Sequence, residues 1–114
     1  MKIITDSINL DELKKMSKNM FENLVKAVVD IEKEIMAVDA PMHADEEAEL
    51  IKNGSKQENL WGINLYPEYF GKEDFIEFDS MINIRPSANN RTRGVDDEKI
   101  REIIIKIVSK LVEK

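Results

Sequence analysis

Four arginines, Arg85, Arg91, Arg93 and Arg101, fall within seventeen consecutive residues, whereas the thirteen lysines are spread along the whole chain. Between Arg85 and Gly94 the sequence RPSANNRTRG holds three positive charges and no negative one. A guanidinium presents a rigid fork of donors suited to carboxylate or phosphate oxygens, so this clustering points to an anionic ligand. Arg85, Asn89, Asn90, Arg91 and Arg93 are the candidate ligand-binding residues, and Gly94 would let the backbone come close. The acids Asp96, Asp97 and Glu98 at the start of the next helix oppose an anion there. The structural alternative is that the arginines pair with the chain's own carboxylates and pin a long loop.

Two weaker constellations could move protons. Glu77, Asp79, Asn83 and Arg85 recur at period two on the polar side of a strand, with Asn64 and Tyr66 as neighbours, so Glu77 or Asp79 could be a general base beside a stabilising arginine. An alternating polar face is also what any half-buried sheet shows. His43, the only histidine, sits among carboxylates in MHADEE. One histidine without cysteine is a poor transition-metal set, so no metal is expected. No P-loop, dinucleotide glycine fingerprint, HExxH or Gly-x-Ser-x-Gly elbow occurs, and no cofactor is expected.

The elements that must position these groups follow from periodicity. Lys2 to Thr5 is β-prone. Asn9 is an N-cap with Glu12 at N3, and Ile8 and Leu13 form a hydrophobic staple, opening a helix to about Glu22. Leu24 to Ile31 and Ile35 to Val38 read as two strands joined by a weakly specified turn. EEAELIKN is a helix closed by Gly54 at C′, and Ser55 with Glu58 repeats a capping box. Leu60 to Tyr66 alternates as a strand, and Phe75 to Arg85 as a longer one. Asp96 is the expected N-cap of a final helix with an apolar stripe from Ile100 to Val112.

The order β-α-β-β-α-β-β-α predicts an α+β fold: a mixed, mostly antiparallel sheet of about five strands with three helices packed mainly on one face. Strands one and two, linked through a helix, are expected to run parallel.

At 114 residues the chain is one domain's length. Seventeen basic against twenty-three acidic residues give a net charge of −6, which argues against nucleic acid as partner. No apolar run approaches the ~20 residues of a membrane span, and no cysteine is present, so a cytoplasmic protein is expected.

The segments HADEEAELIKNGSKQENLWGINLYPE, DFIEFDSMINIRPSANNRTRGV and IREIIIKIVSKL resemble a conserved hypothetical prokaryotic protein family, a domain of unknown function. The resemblance covers nearly the whole chain and implies a compact stand-alone intracellular protein without an assigned activity. The leading functional expectation is a binding module for a small anionic ligand at residues 85–94. A protein-interaction module or homodimer, suggested by Trp61, Tyr66, Tyr69 and Phe70, is the first alternative. A small hydrolase or nuclease using His43 or Glu77 is the second.

Overall fold

A computed structural model describes all 114 residues. Seven strands and three helices are present: β1 (Lys2–Ile4), β2 (Ile8–Asn9), α1 (Leu10–Met20), β3 (Val25–Asp30), β4 (Ile35–Val38), α2 (His43–Lys52), β5 (Leu60–Leu65), β6 (Ile76–Glu77), α3 (Glu98–Leu111) and β7 (Val112–Glu113). The fold is α+β: five of the strands form one sheet in the order β1-β4-β3-β5-β6, every neighbouring pair antiparallel. β1 and β3 do share a direction, but β4 lies between them because the β3–β4 hairpin folds back into that place. β2 and β7 make a separate two-residue parallel ladder.

Strict alternation along β3 and β5 divides the core. Val25, Ala27 and Val29 join Ile63 and Leu65 beneath α1 and α3, in a cluster that includes Leu13, Ile104, Val108 and Leu111. Val28 and Leu60 face the other way, with Ala37, against Leu50 of α2. Two helices thus cover one face and α2 stands alone on the other.

Local chemistry explains the boundaries. Asn9 caps α1 by accepting from the Asp11 amide. α2 ends in a full Schellman motif: the Gly54 amide donates to Ile51 O, the Ser55 amide donates to Leu50 O, and Gly54 has φ +102°. The β3–β4 turn is better specified than its sequence suggests, since Asp30 accepts from the Glu32 and Lys33 amides. Ser55 does not cap the turn that follows it; its hydroxyl donates to Asp30 at 2.6 Å and ties α2 to that hairpin. α3 is capped by Asp97 rather than Asp96, with Asp97 accepting from the Lys99 amide.

The expected long strand from Phe75 to Arg85 pairs with β5 only at Ile76 and Glu77, and Arg85 makes an isolated antiparallel bridge to Asn90. Beyond them side chains take the strand's role. The Gly62 amide donates to Asn83 Oδ1 at 2.8 Å, and Asn83 Nδ2 donates back to Gly62 O at 2.9 Å. One primary amide therefore satisfies both backbone groups that a further ladder rung would have met. Arg85 extends the same edge by donating to Leu60 O and Gln57 O.

Candidate functional site

α2 is an unusual packing helix. The residues it buries are His43, Glu46 and Leu50, so two of three inward side chains are titratable. Buried titratable groups carry a desolvation cost that apolar residues would avoid, and they concentrate at functional sites. Between the start of α2, the sheet and the segment after β6 lies a cleft of about 550 Å³. It gathers His43 from α2, Lys26 from β3, Asn64 from β5, and Glu77, Asp79 and Arg93 from the opposite side.

Gly62 makes this convergence possible. A Cβ there would stand 2.5 Å from Ser80 Cβ and 3.2 Å from His43 Cδ2. The Ser80 amide donates to Arg93 O at 2.9 Å, which brings Asp79 and Arg93 together at the rim.

Within the cleft the polar groups fall into three bonded sets. His43 Nε2 stands 2.8 Å from Ile63 O. Asn64 Nδ2 donates to Glu77 Oε1 at 2.8 Å, and Tyr66 donates to the same oxygen at 3.0 Å. Arg93 Nε donates to Asp79 Oδ1 at 2.6 Å in a half-exposed ion pair. Such pairs contribute less than about 1 kcal/mol, so Arg93 can exchange partners cheaply. Lys26 has no carboxylate within ion-pair distance; its ammonium lies 5.0 Å from the centre of the Phe21 ring.

Electrostatics keep His43 neutral. Burial holds its pKa below the usual value and Lys26 adds to that, while the Ile63 carbonyl, Asp79 and the Asn64 side chain act against it. The Tyr66 hydroxyl is pushed up, first by burial and then by Glu77.

Among the residues singled out from sequence, His43, Glu77, Asp79 and Arg93 meet at this cleft; Arg85, Asn89, Asn90 and Arg91 do not line it. Arg85 has its guanidinium 4.1 Å from the Trp61 ring centre and spends its donors on backbone carbonyls. Asn90 is buried and knots the loop, donating to Asn83 O and Gly94 O and accepting from the Asp96 amide. Asn89 is an exposed turn residue at φ +61°. The Arg91 amide donates to Asp96, whose carboxylate also accepts from Thr92, while the Arg91 side chain is exposed and makes no ion pair. Asp96, expected as a cap, is occupied in folding this loop, and its two donors hold its pKa below the ordinary value. The aromatic group divides: Trp61 is buried, Phe70 packs edge-on against Phe75 at 5.3 Å, and Tyr66 and the exposed Tyr69 stand with ring centres 6.2 Å apart.

Lys26 was not singled out from sequence, although a lysine between Val25 and Ala27 in a mainly apolar strand is a visible signal. No three acids or histidines stand together as a metal-binding group.

A profile of a protein family of unknown function, DUF5674, matches residues 2–111. The chain belongs to that family. No curated protein and no solved structure matches it. Nothing in the DUF5674 description assigns a ligand or a reaction, so the cleft's own chemistry is what bears on function. No helix of this DUF5674 chain is long and apolar enough to cross a membrane.

Proposed function

We propose that this chain is a binding module for a small molecule with an anionic group, phosphate or carboxylate, and that its seat is the cleft under α2, with Lys26 and Arg93 supplying the charge. The observation that carries this reading is Lys26. In a chain with twenty-three acids this half-buried residue has no acid partner for its ammonium and lines a cavity. An anion bound there would meet an ammonium for which no acid of the chain competes. Arg93 adds to it, because only its Nε bonds Asp79, so its two terminal nitrogens can meet an anion. The cleft's size of about 550 Å³ suits a small molecule.

Thermal melting with inorganic phosphate, ribose phosphate and citrate tests this. A ligand at one hundred times its dissociation constant stabilises by about 2.7 kcal/mol, which raises the melting temperature by several degrees. The rise should vanish in Lys26→Met. A rise lost in Arg91→Ala but kept in Lys26→Met would return the seat to loop 85–94, and no rise with any of the three would end the reading.

Proton transfer is a second reading, favoured by one observation: His43, Glu77 and Asp79 line the same cleft. A hydrolase of this kind would release phosphate from simple phosphoesters in wild type and lose that activity in His43→Gln.

A further inference from the structure

One wall of the cleft is made of hydrogen-bond acceptors. Asn64 is 6% exposed, and the bond from its Nδ2 to Glu77 fixes which way the amide faces, since the flipped amide would set two oxygens against each other. That leaves Asn64 Oδ1 buried with no well-aligned donor, although the His43 ring stands close enough for Asn64 to act on its pKa. His43 is 8% exposed, and its Nε2–Cδ2 edge lies on β5, against the Ile63 carbonyl and Gly62. A carbonyl can only accept, so the neutral ring carries its proton on Nε2 and offers a lone pair at Nδ1, the opposite corner. Glu77 takes both of its donors on Oε1, leaving its second oxygen open.

An acceptor buried without a donor costs about 1–3 kcal/mol, and a ligand's N–H groups would remove that cost on binding. The mouth of the cleft adds two exposed methionines, Met42 and Met81, whose flexible thioethers suit the face of a flat ring.

We propose that this wall reads a planar edge bearing adjacent N–H donors, of the guanine or amidine type, and that the ligand joins such an edge to the anion held by Lys26 and Arg93. The inference rests on the cleft assignment above and specifies the inner half of the molecule. Its mark is a pH dependence of a particular sign. His43 is faced by Lys26 from β3, by Glu77 and Asp79 from the β6 segment, and by Arg93 from the loop beyond; Glu46 and Glu47 follow it on α2. Protonating it adds positive charge, which strengthens binding of a bare anion, yet converts Nδ1 from acceptor to donor, which weakens binding of a donor edge.

The test is calorimetric titration of the whole chain with guanosine monophosphate, inosine monophosphate (which lacks one amino group), ribose phosphate and benzamidine, from about pH 8 down to about pH 5, across the histidine range. Guanosine monophosphate should bind about tenfold or more tightly than ribose phosphate, with inosine monophosphate between them. That ratio, in which the phosphate's own titration cancels, should shrink as pH falls through the pKa of His43. Equal binding of all three phosphates, each weakened by Lys26→Met, would overturn the donor-reading wall and leave the anion seat standing. Benzamidine bound at His43, seen as a shift of its ring signals, with no phosphate bound, would support the wall and sink the anion seat. Failure of both guanosine monophosphate and benzamidine to bind would overturn the inference.

Discussion

Glu46→Gln should change how the stability of this protein depends on pH. The Glu46 side chain is 0% exposed; its Oε2 accepts from the Ala40 amide at 3.2 Å and its Oε1 has no partner. Burial, with Asp39 and Asp45 adding to it, pushes its pKa up to about 9 from 4.5, against the Ala40 amide and Lys26. Below pH 4.5 both the folded and unfolded chains hold this proton, and above it only the folded one does. The fold therefore loses about 1.4 kcal/mol per pH unit from this group between 4.5 and about 9. At pH 7 the loss is (7 − 4.5) × 1.36, or about 3.4 kcal/mol. Glutamine has the shape and neutrality of the protonated acid and does not titrate. Urea denaturation of both proteins at several pH values isolates the effect, because every other group titrates alike in the two. The stability difference, mutant minus wild type, should grow by about 2 to 3 kcal/mol from pH 5 to pH 7. A constant difference would refute the reasoning, whatever its absolute size.

Two further outcomes test the scaffold of the cleft. Asn83→Ala leaves the amide and carbonyl of Gly62 without their partner and removes one of the two donors to Arg93 O, and should cost about 2 kcal/mol or more by denaturant titration; a cost under about 1 would mean the amide is no surrogate strand. Gly62→Ala must displace Ser80, whose Cβ and Oγ would stand 2.5 and 2.6 Å away, and should lower stability by about 1–3 kcal/mol; an unchanged melting temperature would contradict that close packing.

The sequence was most readable where one physical signal dominated. The apolar stripe of α3, the Asn9 cap and Gly54 after α2 are local, and the structure has each of them. Reading was poorer where two signals competed. From Phe78 to Arg85 the alternation suggested continued pairing, but Asn83 and Arg85 carry donors long enough to reach β5 from a chain that has already turned away. The arginine cluster likewise looked like a common site because spacing says nothing of direction. Arg85 turns onto backbone carbonyls and Arg93 onto Asp79. Lys26 and Asn64 could be brought to His43 only by the β3–β5 register, in which Lys26 lies opposite Asn64, a long-range pairing that no local pattern encodes.

The side-chain seal along β5 also limits how this molecule can meet its neighbours. An unpaired strand margin is a template on which another copy can add itself, rung by rung. Here that margin is taken up by an asparagine and an arginine. The opposite margin, β1, is three residues long and begins with a lysine. Growth of the sheet from one copy into the next has little to nucleate on at either side, which favours dispersed chains over fibres at high concentration.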